Sequence, residues 1–286
     1  MKKVLKSTLR KPDWLKIRLP EGKSYVKIKD IVHHHQLHTI CESGRCPNIA
    51  DCWGRGTATF MILGDICTRS CNFCNVKTGK PLPVDPDEPM HIARSVQLMK
   101  LKHCVITSVD RDDLADGGAS YWSETIRAIK KLNPETTIET LIPDFNGEYS
   151  YLEKVIKAKP DVISHNLETA RRLTPFVRSK AKYETSLKVI RNISDSKIVS
   201  KSGVMLGLGE TEDEIVQTMD DLIEIGCEVF TIGQYLQPTA NHLPVAEYLA
   251  PEIFERYKKI GLVKGFRFVE SSPLVRSSYR AEKHVK

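Results

Sequence analysis

Cys67-Thr68-Arg69-Ser70-Cys71-Asn72-Phe73-Cys74 places three thiols at C-x3-C-x2-C spacing within one short loop. The loop follows an apolar run, Ala58 to Leu63, that reads as a buried strand ending at Gly64. Three thiolates this close occupy three irons of a cubane cluster and leave the fourth iron without a protein ligand. Iron–sulfur clusters usually take four cysteines, so a missing fourth implies an open coordination site. Such an iron holds a small ligand through an amine and a carboxylate. Two plainer readings compete, a zinc knuckle and a disulfide knot. Structural zinc takes four protein ligands, and no His or Cys follows Cys74 at finger spacing.

With the aromatic Phe73 just before the third thiol, the loop resembles the radical S-adenosylmethionine signature. A second triad precedes it: Cys41, Cys46 and Cys52, at C-x4-C-x5-C spacing, in a stretch that Gly44 and Pro47 keep irregular. Its alternatives are a zinc site completed by a distant His, or thiols that help ligate the first cluster. Two triads separated by a strand-length segment point to two sites, the second again lacking a fourth ligand. Cys104 and Cys227 stand alone among apolar or strand-like neighbours and read as buried core thiols. A secreted disulfide scaffold would be shorter and carry a signal segment.

Length allows one large or two small domains and a substantial core. The 41% apolar and 28% charged shares are ordinary for a soluble globular chain. No apolar run approaches the about 18 residues of a membrane span, which argues against a membrane protein. The N-terminus is basic (Lys2, Lys3, Lys6, Arg10, Lys11) without the apolar region of a secretory signal. A short transit peptide fits that charge, but Pro12-Asp13-Trp14-Leu15-Lys16 looks like mature sequence, so a cytoplasmic location is expected. Net charge is +7, scattered rather than blocked. Nucleic-acid binding is therefore unsupported, and an acidic protein partner fits the charge at least as well. Residues 1–35 read as a surface wrap anchored by Trp14 and Leu15. His33-His34-His35 with His38 reads as a helix end or loop before the first cysteines rather than as a metal tract.

After the signature loop, Pro81, Pro83, Pro86 and Pro89 mark a connecting loop. An alternation then begins. Strands are expected at Cys104–Val109, Thr137–Ile142, Val162–Asn166, Ile198–Leu208, Val229–Gly233 and Phe266–Val269. Helices are expected at Tyr121–Leu132, Tyr149–Ala158, within Tyr183–Ile193, at Glu212–Ile225 and at Pro251–Lys264. Short apolar strands alternating with amphipathic helices imply parallel βαβ units, and with the strand before Cys67 there are six or seven strands. No Gly-rich dinucleotide turn follows the first strand. The expected class is α/β, a partial (β/α) TIM-type barrel of about six βα units. An N-terminal cysteine-loop extension is expected to precede it and a C-terminal segment to cover its mouth, although Val275 to Arg280 reads from its residues alone as a surface tail. Chemistry in such barrels sits at the C-terminal strand ends, where the Cys67 loop lies.

Other strand ends become candidates. Ser108-Val109-Asp110-Arg111-Asp112-Asp113, with Asp116-Gly117-Gly118, either binds the amine and ribose of an adenosyl cofactor or is a solvated acidic loop. Asn166-Leu167-Glu168 either holds ribose hydroxyls or caps the next helix. Gly203 to Glu210 matches the G-x-I-x-G-x-x-E pattern of adenosine-cradling strands, Met205 replacing Ile and Gly207 taking the second glycine.

At this point the chain resembles the lipoyl synthase family over nearly its whole length. The resemblance runs from Lys11-Pro12-Asp13-Trp14-Leu15 through both triads to Arg276-Ser277-Ser278-Tyr279. It also takes in Thr107-Ser108-Val109-Asp110-Arg111-Asp112-Asp113, His165-Asn166-Leu167-Glu168-Thr169 and Tyr235-Leu236-Gln237-Pro238-Thr239. Arg280 stands where some members carry His. The resemblance implies two [4Fe–4S] clusters. Cys67, Cys71 and Cys74 ligate one that binds S-adenosylmethionine, with Phe73, Ser108, Asp110, Asn166, Glu168 and Gly207 as cofactor contacts. Cys41, Cys46 and Cys52 ligate the sulfur-donor cluster, whose fourth ligand in the family falls on Ser278. Alkoxide suits a soft iron–sulfide cluster poorly, so a serine-held iron is easier to release as that cluster is dismantled.

The implied reaction inserts sulfur at C6 and then C8 of an octanoyl chain on a lysine of a lipoyl carrier domain, consuming two S-adenosylmethionine molecules. The implied partners are 2-oxoacid dehydrogenase E2 subunits and the glycine cleavage H protein, a ferredoxin- or flavodoxin-type electron donor, and an iron–sulfur carrier that rebuilds the consumed cluster. The implied division is 1–56 for the auxiliary-cluster extension, 57–270 for the barrel and 271–286 for the C-terminal segment. A biotin synthase-like or methylthiotransferase-like enzyme is the alternative, disfavoured by a triad ahead of the radical triad and by Ser278. A zinc-binding interaction module explains the thiols but not the βα repeat.

Overall fold

The computed structural model describes residues 9–16, 26, 29, 30, 32, 39–43, 46, 48–54 and 58–285. The histidines at 33–35 and 38, and Gly44 and Pro47, lie outside them. Contacts divide the chain into two compact units. One comprises residues 17–69, 76–164 and 278–286; the other comprises 1–16, 70–75 and 165–277.

In the first unit, two short helices, α1 (Ile40–Ser43) and α2 (Ile49–Gly54), precede strand β1 (Thr59–Ile62). A small parallel pair follows, β2 (Ile66–Cys67) with β3 (Lys77–Thr78), framing the cysteine loop. Then come α3 (Glu88–Met99), β4 (His103–Ser108), α4 (Ala119–Leu132), β5 (Thr137–Leu141), α5 (Tyr149–Lys157) and β6 (Val162–Ser164). Strands β1, β4, β5 and β6 pair in that order, all parallel. Strands β1, β4 and β6 are largely apolar, as strands buried in a parallel sheet are, whereas β5 buries Glu139 and Thr140 completely. Phe60, Ile62, Cys104, Ile106, Ile138 and Ile163 have no measurable exposure.

The second unit contains α6 (Thr174–Val177), α7 (Tyr183–Asp195), β7 (Val199–Leu206), α8 (Glu212–Glu224), β8 (Val229–Gln234), α9 (Pro251–Lys264) and β9 (Phe268–Ser271). Strands β7, β8 and β9 are parallel neighbours. Val204, Leu206, Phe230, Ile232 and Val269 pack against Ile215, Met219, Leu222 and Phe254 of α8 and α9. A capping box starts α8: Thr211 Oγ accepts from the Glu214 N–H, and Glu214 reaches back to the Thr211 N–H. Leu15 is fully buried, whereas Trp14 is 45% exposed, so only the leucine anchors the N-terminal segment.

The alternation follows the expected order, and the seven strands of the two runs agree with the expected count. Beyond Trp14, other expectations fail, and β9 runs Phe268–Ser271 rather than Phe266–Val269. The proline-punctuated stretch does not stay a loop to Pro89, because α3 begins at Glu88. Proline is harmless in a first helical turn, where its missing N–H has no intrahelical partner. Strand β7 also ends two residues early, because Gly207 turns to a φ of +93°. A Cβ on Gly207 would come 2.2 Å from Gln234 Nε2 and 2.4 Å from the Glu247 carbonyl oxygen. Chain packing therefore requires that glycine whether or not a ligand approaches it. Among the described residues no helix is long and apolar enough to cross a membrane.

Candidate active site

The cysteine loop is held from its first half by the β1–β6 unit. Strand β1 ends in a left-handed Leu63 (φ +68°), whose N–H donates to Glu88 Oε2 at 2.7 Å. Burial pushes the Glu88 carboxyl up, opposed by the N–H groups of Leu63 and Gly64. Two backbone N–H groups, from Arg69 (3.4 Å) and Asp110 (3.3 Å), point at the Cys67 sulfur. The Cys67 thiol lies 3.8 Å from Asp110 Oδ2. The Asp110 carbonyl accepts from the Thr68 N–H at 3.0 Å and the Thr68 hydroxyl at 2.9 Å.

Arg69, quoted in the sequence only as part of the loop, is the residue that sequence reasoning missed. Its side chain is 4% exposed and donates Nε and Nη2 to the two oxygens of Asp112, each at 2.8 Å. It also meets Asp144 at 2.9 Å and Asp110 at 3.4 Å. Burial pulls its pKa down, but the bonds to Asp112 and Asp144 outweigh this and leave it raised. The available signal was the Asp110-Arg111-Asp112-Asp113 turn, whose own arginine pairs with Asp113 and leaves two more carboxylates that a second cation can meet. Together these loops line a cavity of about 210 Å³ with Phe145, Asn146 and Tyr151.

The second half of the loop is held within the β7–β9 unit. The Asn72 N–H donates to the Val177 carbonyl at 3.0 Å, and its side-chain amide donates to the Phe176 carbonyl at 2.6 Å. The Ser70 N–H donates to Ser179 Oγ, which also lies 3.9 Å from Cys71 Sγ. Cys74 closes a turn onto the Cys71 carbonyl at 3.1 Å. His242 Nε2 sits 2.9 Å from the Cys74 carbonyl, and a carbonyl only accepts, so Nε2 carries the proton. Thr239 fixes the other ring nitrogen at 2.8 Å. His242 and Thr239 thus give the Tyr235–Thr239 stretch a role the sequence did not reveal. Phe73 is half-buried.

The remaining predicted residues lie at strand ends. Ser108 Oγ ends β4 enclosed and has no hydrogen-bond partner among the described residues. Asn166 and Glu168 follow β6. Glu168 holds a left-handed φ of +68°, unusual for a non-glycine, and its N–H donates to the Gly203 carbonyl at 2.9 Å. Burial raises its carboxyl pKa, against Arg178 and Asn166. Asn166 Oδ1 accepts from Ser277 Oγ at 3.5 Å, so a predicted cofactor contact touches the R-S-S-Y motif. That motif follows a segment laid across β8, where the Gln234 N–H donates to the Pro273 carbonyl at 3.1 Å.

The first triad lies in the β1–β6 unit. The Cys46 N–H donates to the Cys41 carbonyl at 3.0 Å, and the Cys52 N–H to the Asn48 carbonyl at 2.9 Å. Burial pushes the Cys41 thiol up to about 12, and the neighbouring thiols Cys46 and Cys52 push in the same direction. Two thiols close enough to push the third one up fit an iron cluster, whose positive irons take all three as thiolates. The two N–H groups on Cys67 suit a cluster-bound thiolate in the same way. Ser278 is half-buried and belongs to the same unit as the Cys41 triad. Among the described residues no three His, Cys, Asp or Glu side chains form a closed group around a single ion position. Cys104 and Cys227 are buried core thiols, as expected.

The sequence matches the radical SAM superfamily over residues 61–222 and the N-terminal domain of lipoyl synthase over residues 1–46. It is 63% identical to the lipoyl synthase of Phocaeicola vulgatus over 278 residues, covering 97% of this chain and 98% of that protein. The chain belongs to the lipoyl synthase family. It is likewise 62% identical to the lipoyl synthase of Treponema denticola, over 96% of this chain and 95% of that one. Family membership over the full length sets aside the biotin synthase-like and methylthiotransferase-like alternatives. Among solved structures, methylornithine synthase (PylB) aligns with a TM-score of 0.56 at 12% identity, over 88% of this chain and 84% of that one. Streptococcus suis SuiB bound to S-adenosylmethionine aligns with a TM-score of 0.55 at 15% identity, over 74% of this chain and 49% of that one. At these identities the likeness is one of fold. With the parallel strand–helix repeat, it agrees with the partial barrel expected for a radical S-adenosylmethionine enzyme.

Proposed function

We propose that this enzyme inserts sulfur at C6 and then C8 of an octanoyl chain linked to a lysine of a lipoyl carrier domain. Near-full-length identity to lipoyl synthases carries the reading. Cys67, Cys71 and Cys74 would hold a [4Fe–4S] cluster that, with S-adenosylmethionine, supplies a carbon radical able to take hydrogen from an unactivated methylene. Cys41, Cys46, Cys52 and Ser278 would hold a second [4Fe–4S] cluster that supplies the sulfur.

The chain's own groups prepare these sites. Glu88 fixes the backbone that enters the loop, Arg69 and Thr68 tie the loop to the Asp110–Asp112 turn, and His242 with Asn72 fixes its far end. Ser108, Asp110, Asn166, Glu168 and Gly207 would meet the cofactor, with Phe73 packing beside the cluster. Residues 1–56 would form the auxiliary-cluster extension, 57–270 the radical core and 271–286 a segment over its mouth. The partners would be E2 subunits and the glycine cleavage H protein, a ferredoxin- or flavodoxin-type donor, and an iron–sulfur carrier for repair, in the cytoplasm.

The test is an anaerobic incubation of reconstituted protein with S-adenosylmethionine, a strong reductant and an octanoyl-lysine peptide. Mass spectrometry should find a peptide that has gained two sulfurs and lost two hydrogens. Cys71→Ala should abolish 5′-deoxyadenosine formation. Ser278→Ala should spare cofactor cleavage while impairing sulfur transfer, and a normal lipoyl yield from it would remove Ser278 from the mechanism.

A further inference from the structure

We infer that Arg69 is a positioning residue for the radical cluster. It holds the turn after β4 so that the Asp110 N–H points at the Cys67 sulfur, and through that bond it sets the cluster's reduction potential. The inference rests on the proposed function in one respect, that Cys67 is a cluster ligand.

The geometry is a zipper between two short segments. From the cysteine side, Thr68 donates its N–H and hydroxyl to the Asp110 carbonyl, and its hydroxyl oxygen accepts from the Asp112 N–H at 3.1 Å. From the β4 side, the Asp110 N–H returns to Cys67 Sγ at 3.3 Å. Arg69 locks the zipper, with a two-pronged bond to Asp112 and a contact to Asp110. It extends the lock to the β5 turn through Asp144 and through Asn146 Oδ1 at 3.2 Å. That turn is itself held in an unusual shape, with Phe145 and Asn146 at φ +46° and +54°. A planar guanidinium spans these acceptors at fixed angles; a lysine ammonium supplies the charge without the fork.

An N–H bond to a ligating sulfur draws electron density from it and favours the reduced, more negative cluster, so it raises the potential. If the lock is lost, the Asp110 N–H is no longer aimed and the potential falls. Arg69→Lys separates this effect from charge. Arg69→Gln also removes the cation that faces three carboxylates and should lower the potential further.

The experiment is an anaerobic redox titration followed by electron paramagnetic resonance, reading the signal that responds to added S-adenosylmethionine. Iron content and thermal midpoint are measured in parallel. Arg69→Lys with full iron content should give a more negative midpoint potential and a changed reduced-cluster spectrum. Wild-type potential and spectrum would overturn the inference, even with a lowered thermal midpoint, because a merely structural arginine moves stability alone. If Arg69→Lys fails to hold iron, Thr68→Val carries the test. It removes the hydroxyl bonds of the zipper and leaves the charges in place. A negative shift supports the zipper, and an unchanged potential refutes it. Failure of the underlying reading looks different: Cys67→Ser would then retain the cofactor-responsive signal.

Discussion

Gly233→Ala tests whether the C-terminal segment is fastened to β8 by backbone contact. A Cβ at this position would lie 2.1 Å from the Val275 carbonyl oxygen and 3.1 Å from the Val275 carbonyl carbon. The obstacle is main chain rather than a mobile side-chain tip, so the segment must lift by about 1 Å to restore ordinary contact distances. Two bonds then stretch or break: Gln234 N–H to the Pro273 carbonyl, and Ser272 N–H to the Ile232 carbonyl at 3.2 Å. At about 1 kcal/mol each, with up to roughly 1.5 kcal/mol for partly uncovering the buried Val275, the loss is about 2–3.5 kcal/mol. That makes the detached segment roughly 30- to 300-fold more populated. Trypsin reads this directly, because Arg276 and Arg280 follow the segment and cleavage tracks the open population when reclosing is fast. Cleavage there should accelerate by that factor. Sulfur transfer should fall more than cofactor cleavage if Ser278, proposed above as a ligand of the second cluster, is carried on the same stretch. Wild-type cleavage rates with an unchanged melting temperature would refute the reasoning.

Two further outcomes follow from the buried carboxylates. Burial raises the Glu88 pKa, so its contribution is fully present below the unfolded carboxyl pKa and is lost as pH rises through the folded value. Glu88→Gln keeps an acceptor for the Leu63 N–H and should melt no lower than wild type at pH 7, whereas Glu88→Ala should lose about 1–3 kcal/mol. Equal damage from both would mean that the acceptor is not what matters. Asp116 behaves oppositely. Burial pushes its carboxyl up, but Lys154 (2.8 Å), the Ser120 hydroxyl (2.6 Å) and the N–H groups of Ser120 and Gly118 bring it down to about 2. Its stability is present above the unfolded value near 4 and fades as pH falls towards 2, about 1–2 kcal/mol in all. Asp116→Asn should melt below wild type at pH 7, with the gap narrowing in acid melts; a gap that persists at pH 2 would contradict the assignment.

The strands were legible because a parallel strand buried on both faces is mostly apolar and β-branched, as in Val162–Ser164 and Val229–Gln234. Helices such as Tyr149–Lys157 were legible from their amphipathic period. Helix α3 was hidden because proline punctuation looks alike in a loop and in a first helical turn. The loop thiols were visible as a spacing. Their supports were not, because Arg69 finds its partners more than forty residues away and His242 reaches Cys74 across most of the chain. Gly233 showed nothing in sequence, since its demand comes from the carbonyl of Val275 lying over it. Gly207 looked like a ligand-cradling glycine and proves also to be required by Gln234 and Glu247.

Cys104 and Cys227 have a consequence for handling the protein in air. Both are enclosed, Cys104 completely and Cys227 to within 3%, and burial pushes Cys227 up to about 12 and Cys104 higher still. Nucleophilic exchange needs the thiolate, so neither sulfur exchanges while the core stays folded. Cys41, 6% exposed and likewise pushed up to about 12 by burial, is slowed for the same reason, so oxidation in air falls first on the half-buried Cys46, Cys52, Cys67, Cys71 and Cys74. The folded core keeps its two thiols out of the exchange, so disulfides formed in air are to be sought among the outer cysteines.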